Sequence, residues 1–287
     1  MKDALRRWLP APVLSLARRI YYRPAVRKLL FFPAELYDRI TGARGDRDLP
    51  PRSIAFVGDG DFAAIGEEFF GYFKELCGLK PGERVLDIGC GAGRIALPLS
   101  RYLDDAGSYD GFDVLPDHVR WCSSHIGSRR SNFRFVQADI RSPMYNPKGR
   151  FAPSEYRFPF DDASFDFAFM TSVVTHILPD GAAHYLAETC RVLRPGGRCL
   201  VTWFVIDEEA DRRILEGTSA TRFEYELAGC RVVDAGVPES AVAYREEDVR
   251  RMYAAAGLRI EEPIRWGGWS GRPDHLSFQD IVVATRR

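Results

Sequence analysis

Val85 to Arg94 reads VLDIGCGAGR, a short apolar run that closes on an acid and gives way to three glycines at alternate positions. A run of this length bounded by glycine is a buried strand. Gly89, Gly91 and Gly93 then form a turn stripped of side chains, where a ligand can press against bare backbone and the amino terminus of the next helix. A strand that ends in a ligand loop and leads straight into a helix demands a parallel partner strand, and so a layered α/β architecture.

The flanking residues supply that architecture. Helical spacing over 65–76 ends at Gly78, LKPGE turns the chain into the strand RVLDIG, and a helix follows over 94–102. Next come a strand over 109–114, a helix opened by Pro116 and Asp117 that runs to Ile126, and a strand over 133–138. The apolar run 165–174 is a buried strand, 181–193 a helix, and RCLVTWFVI a strand after the Pro195-Gly196-Gly197 turn. Strands alternating with helices predict a parallel sheet covered on both faces, with ligands at the carboxyl ends of the strands.

Asp87 decides what kind of ligand the loop takes. The dinucleotide pattern G-x-G-x-x-G needs its last glycine at position 94, which is Arg, and a carboxylate beside the turn repels a pyrophosphate. The same carboxylate suits a ligand that carries an ammonium or sulfonium. Asp113 ends the second strand in GFDV, where a carboxylate can accept both hydroxyls of a ribose. Asp139 ends the third in VQADI, where it can meet an adenine edge. Each acid alone also fits a turn or a helix cap, but three acids close three successive strands.

In these motifs the chain resembles the class I S-adenosylmethionine-dependent methyltransferases. VLDIGCGAGR looks like their first motif, GFDV the second, QADI the third, FDFAFMTSVVTHI the fourth and RVLRPGGRCLVTW the segment after it. The likeness covers about 82–206, and the flanks SIAFVGDGDFAAIGEEFF and LSFQDIVVATRR resemble a bacterial small-molecule group of that family. It implies a Rossmann-like, doubly wound sheet of seven strands, mostly parallel, with an antiparallel last strand formed by a hairpin of about 258–266 and 277–285. S-adenosyl-L-methionine is the implied cofactor. By the same resemblance Asp87 and the three glycines hold its methionine part, Asp113 the ribose, and Asp139 with Ile140 the adenine, while Cys90, Arg94, Val114 and Thr171 complete the cofactor-binding set.

Methyl transfer asks little of the protein beyond alignment, because the cofactor carries the reactive group. A base is needed when the acceptor is a hydroxyl and is dispensable for a free amine. His176, just past the fourth strand, is the first candidate, with Thr171 and Ser172 on the same edge. His275, near the final hairpin, is the second. His118, His125 and His184 fall within helices as surface or packing residues. The expected activity is methyl transfer to an oxygen, less readily a nitrogen, of a small-molecule, sugar or lipid-linked acceptor. A non-catalytic scaffold of the same fold is the alternative. Substrate identity is expected in insertions at about 141–160 and 207–244, and GDGDF at 58–62 is placed to fold over the cofactor.

Charge and cysteine content exclude other classes. Lys plus Arg equals Asp plus Glu at 40 each, so no broad field draws nucleic acid. The six cysteines include no C-x-x-C pair, which favours reduced thiols, no metal site and a cytoplasmic location. Residues 1–49 read as a basic, amphipathic helical extension before a domain over 50–287. Within 1–30 eight cations face the single acid Asp3, and no apolar run is long enough to span a bilayer. That segment reads as a helix pair, broken near Pro10 and Pro12, that lies on the inner face of a membrane or covers a pocket. A cap packed on the domain with its arginines in water is the other reading.

Overall fold

The structure, a computed structural model, describes residues 21, 24–42, 49–56 and 60–287. Of the helix pair expected over 1–30, residues 1–20, 22 and 23 lie outside the described residues, and 24–30 fall in the first described helix. Helix α1 (Pro24–Thr41) precedes α2 (Phe62–Cys77), whose first turn is capped by Asp61 accepting from Ala64 N at 2.8 Å. The core then runs β1 (Arg84–Ile88), α3 (Ala96–Tyr102), β2 (Ser108–Asp113), α4 (Pro116–Cys122), β3 (Phe133–Gln137), β4 (Phe165–Met170), α5 (Pro179–Val192) and β5 (Leu193–Trp203). After it come β6 (Val205–Ile206), α6 (Glu208–Leu215), β7 (Tyr225–Leu227), β8 (Cys230–Val232), β9 (Val242–Arg245), α7 (Glu246–Ala255), β10 (Leu258–Ile260) and β11 (Asp280–Arg286).

Seven strands form one sheet in the order β10-β11-β5-β4-β1-β2-β3. β1 to β5 are parallel, and β11 is antiparallel to both β5 and β10. The period of two along each strand sends alternate side chains to opposite faces. Val85, Phe167 and Phe169 pack on one face with Phe73 of α2 and Leu99 of α3, and Leu86, Ile88 and Met170 on the other with Leu186 of α5 and Tyr253 of α7. Phe73 sits at 4.5 Å from the Phe169 ring and 5.0 Å from the Phe167 ring. Burying such a ring is worth about 1.5–3 kcal/mol, and truncating it costs about 3–5 kcal/mol once the cavity is counted.

The expected fold class is therefore the observed one, with three local differences. The strand expected over 165–174 stops at Met170: Ser172 adopts φ +56°, which a ladder cannot accommodate, and Val174–His176 forms a 3-10 turn. The hairpin strand expected over 258–266 ends at Ile260, since Pro263 has no N–H for the ladder, and pairing resumes only at Arg265 with Ile281. The stretch 141–160 carries no helix or strand, and it is anchored at its end by Phe158 and Phe160, which are buried in the main core. Arg191 donates to the carbonyls of Phe158 and Phe160, and the Glu188 carboxylate accepts from Phe158 N at 2.7 Å. Finally, 207–244 contains more than loop. With β6 it forms a second sheet in the order β6-β9-β8-β7, on a small core of Phe204, Ile206, Phe223 and Trp269.

Candidate active site

The glycine loop sits at the carboxyl ends of β1 and β2, where it is bent back onto the sheet. Gly89 N and Cys90 N both donate to Phe112 O, at 2.9 and 3.0 Å. Gly89 has φ +85°, and a Cβ there would lie 2.5 Å from Val173 Cγ2, so only glycine lets the loop close against the residues that follow β4. Gly91 is the opposite case. With φ +52° and no heavy atom within 4 Å of a Cβ position, it is a bare crest facing open space. Gly93 packs instead against Ile126 and Cys122.

Two carboxyl groups flank this crest in different environments. Asp113 Oδ2 accepts from Gly91 N at 2.9 Å and Oδ1 from Leu115 N at 2.8 Å, which locks the side chain while each oxygen keeps a second lone pair. Asp87 is only 2% exposed, and Tyr109 Oη donates to its Oδ2 at 2.6 Å. Burial pushes the Asp87 carboxyl up to about 8; the Tyr109 bond opposes that rise and the Asp113 charge adds to it. In the absence of a positive partner this acid holds its proton near neutrality, so a cation at the crest is what would ionise it.

The remaining residues of the expected cofactor set are placed unevenly. Cys90 is buried against Gly111, and burial raises its thiol well above the ordinary value. The Arg94 guanidinium lies 5.2 Å over the Phe62 ring at the start of α2, and burial lowers its pKa. Thus Phe62 of the GDGDF stretch does reach the loop, although Gly58 and Asp59 lie outside the described residues. Val114 is partly buried against the main core. Asp139 is exposed and tied to the 141–160 insertion, its carbonyl accepting from Arg150 N and Phe151 N at 3.1 Å each. Ile140 is 2% exposed and belongs to the core. Thr171 is half-buried at the end of β4.

Beyond Thr171 a polar knot occupies the edge between β4 and β5. Ser172 N donates to Thr202 Oγ1 at 2.8 Å, while Ser172 Oγ and Thr202 Oγ1 both donate to Gln279 Oε1, at 2.8 and 2.6 Å. These bonds hold Ser172 in its left-handed conformation, a strain that persists only where surroundings impose it. Leu276 and Phe278, beside Gln279, are exposed, as is Leu178 at the end of the 3-10 turn. Sequence reasoning singled out Ser172 but missed Thr202 and Gln279; a glutamine next to a strand start carries no local signal.

His176 closes the 3-10 turn, where Tyr244 Oη donates to the carbonyls of Val174, at 3.1 Å, and Ile177. Its Nδ1–H donates to Glu239 O at 2.9 Å. That bond assigns the proton to Nδ1 and leaves the lone pair on Nε2. Burial lowers the imidazole pKa against the opposing pull of the Glu239 and Ser240 carbonyls, which favours the neutral, proton-accepting ring. The Tyr145 ring stands edge-on at 6.0 Å and brings the 141–160 insertion to the same place. His275 differs. It is exposed, its Nδ1–H donates to Arg272 O at 2.9 Å, and its ring lies against Gly268 in the loop before β11. Of the other histidines, His118 is fully buried and His125 stacks on Trp121 at 4.7 Å. His184 bonds Tyr156 O. Among the described residues no group of three or more His, Cys, Asp or Glu could hold a metal ion.

Comparison with known proteins points the same way. Residues 85–197 match the family described as "Methyltransferase domain". The chain is 30% identical over 198 residues to a demethylmenaquinone methyltransferase of Beutenbergia cavernae, covering 69% of this chain and 70% of that protein. It is 35% identical over 124 residues to a phthiotriol/phenolphthiotriol dimycocerosates methyltransferase of Mycobacterium ulcerans, covering 42% of this chain and only 37% of that one. In fold it is similar to a crystal structure of an S-adenosylmethionine-dependent methyltransferase from Aquifex aeolicus. There the TM-score is 0.51 at 20% identity, over 83% of this chain and all of that one.

Proposed function

Because the chain belongs to the class I S-adenosylmethionine-dependent methyltransferases and S-adenosylmethionine is its cofactor, we propose that it methylates an oxygen of a small apolar or lipid-linked acceptor, with His176 as base. The residues at the sheet edge fit that cofactor. The open crest at Gly91 admits a ligand against backbone, and the free lone pairs of Asp113 can accept two ribose hydroxyls. Asp87 supplies the anion for a positively charged methionine part, while Asp139 stands at the adenine end. When bound, the cofactor presents a methyl group on a positively charged sulfur, already an excellent leaving group.

The chain's own work is positioning and proton removal. Val173, packed on Gly89, brings the glycine loop into contact with the turn that carries His176. His176 Nε2 takes the acceptor's hydroxyl proton as the oxygen–carbon bond forms, a contribution on the order of 10² to 10⁴-fold. The knot of Ser172, Thr202 and Gln279 offers polar contacts to the hydroxyl end of an acceptor, and exposed Leu178, Leu276 and Phe278 offer an apolar rim to its body. The two relatives are named for a demethylmenaquinone and for phthiotriol/phenolphthiotriol dimycocerosates, which is in keeping with an apolar or lipid-linked acceptor.

The observation that carries the oxygen assignment is the Nδ1 bond of His176 to Glu239 O, because an amine acceptor would need no base held in its accepting tautomer. A panel of phenols, sugars, lipid alcohols and amines offered with methyl-labelled cofactor tests it. Label should enter hydroxyl-bearing acceptors, and His176→Ala should lower turnover on the order of 10²-fold or more with cofactor affinity unchanged. Label found only in amines, or turnover unaffected by the substitution, would overturn the assignment.

A further inference from the structure

Helix α1 has an outward face that a soluble surface rarely carries. Leu29, Leu30, Phe32, Leu36, Tyr37 and Ile40 are all exposed, Leu29 at 77% and Ile40 at 75%. At about 100° per residue these six fall within one stripe along the helix, with Pro33 among them. Monomeric proteins seldom leave so continuous an apolar patch in water, and such a patch marks an interaction surface.

The other side of the helix is spent on the domain. Arg27 is 2% exposed, its Nε donates to Ser53 O at 3.1 Å and its guanidinium lies 3.7 Å over the Phe56 ring. Arg27 therefore corrects the picture of a cap with all its arginines in water: burial against Ser53 and Phe56 removes it from solvent. The only two acids of α1 also turn inward. Glu35 Oε1 accepts from Ser53 N at 2.8 Å, and Asp38 accepts from Arg52 at 2.7 and 3.1 Å. What remains outside is the apolar stripe with exposed Lys28 and Arg39 along one border. The sequence that leads into the helix adds Lys2, Arg6, Arg7, Arg18, Arg19 and Arg23 against the single Asp3.

From this arrangement we infer that α1 lies flat on an anionic lipid bilayer, with Leu29, Phe32, Leu36 and Ile40 in the acyl boundary and the flanking cations among the headgroups. A helix of 18 residues is about 27 Å long, which suits a helix in the membrane plane, and no described helix is long and apolar enough to cross a membrane. Charge argues against a second copy as the occupant. The exposed Lys28 and Arg39 find opposite charge on anionic headgroups, which a second copy of the same face, with its acids turned inward, does not supply. The inference is independent of the acceptor chemistry proposed above, since it is read out by binding alone.

Flotation of the full chain with vesicles tests it, comparing neutral phosphatidylcholine with the same lipid carrying a quarter of phosphatidylglycerol. The chain should float with the anionic vesicles and much less with the neutral ones, and binding should weaken as salt shortens the Debye length. The variant Leu29→Ser, Phe32→Ser, Leu36→Ser, Ile40→Ser changes only exposed side chains. It should lose vesicle binding at least tenfold while binding S-adenosylmethionine as before. Vesicle binding that survives the four substitutions overturns the inference. So does a chain that ignores vesicles yet forms a dimer which the same substitutions dissolve, because that result assigns the stripe to a second copy.

Discussion

Replacing Asp87 with Asn should uncouple cofactor binding from protons. Burial raises the Asp87 carboxyl from 3.8 to about 8. A folded-state pKa above the unfolded one means that the fold prefers the protonated acid. Its contribution to stability is therefore complete below about pH 4 and is lost as pH rises toward 8. At pH 7 the loss is about 4 kcal/mol, taking 1.36 kcal/mol per pKa unit. A cation at the glycine crest needs the ionised form, so binding at pH 7 must expel the proton at a cost on the order of 1 kcal/mol, roughly a factor of ten in affinity. Each unit below that costs another factor of ten, and above about pH 8 the dependence flattens. Tyr109→Phe removes the bond that opposes the rise, so it should move the flattening point upward. Calorimetric titration with S-adenosylmethionine in buffers of different ionisation enthalpy counts the protons. At pH 7 the unaltered chain should release most of a proton more than Asp87→Asn, and the variant should bind more weakly. Equal proton counts in the two chains would refute the linkage, and with it the role given to this acid.

Three further outcomes follow from the same contacts. Gln279→Ala frees Ser172 Oγ and Thr202 Oγ1, and should raise the KM for the acceptor with the cofactor dissociation constant unchanged; steady-state kinetics with each substrate varied would expose an effect on the wrong one. His176 keeps its accepting form to lower pH than a free imidazole because burial lowers its pKa. The acid limb of the turnover profile should therefore lie below about 6.5, and a limb above that value would speak against His176 as the base. Asp280, fully buried at the start of β11 and pushed up to about 7 by burial, accepts from Val205 N, Gly267 N and Trp269 Nε1 at 2.6, 2.6 and 2.7 Å. Asp280→Ala leaves three buried donors unpaired and should cost about 3 kcal/mol or more in urea denaturation; a loss under about 1 kcal/mol would contradict that count.

The family, the sheet and the glycine loop at its edge could be read from the chain because their signals are local. A short apolar run, alternate glycines and an acid at a strand end act within ten residues, and Val85 to Arg94 holds all three. What sequence could not supply are contacts made across the fold. Nothing around Asp87 announces that Tyr109, 22 residues on, will donate to it, or that burial will make it hold a proton. His176 was visible as a histidine past β4, but its tautomer depends on a carbonyl 63 residues away, and Gln279 joins Ser172 across 107 residues. The amphipathic character of the amino-terminal region was likewise plain in the sequence. Which side faces water was decided only when Arg27, Glu35 and Asp38 found Ser53, Phe56 and Arg52, since a helical pattern gives the direction of a face and tertiary contacts determine which face is covered.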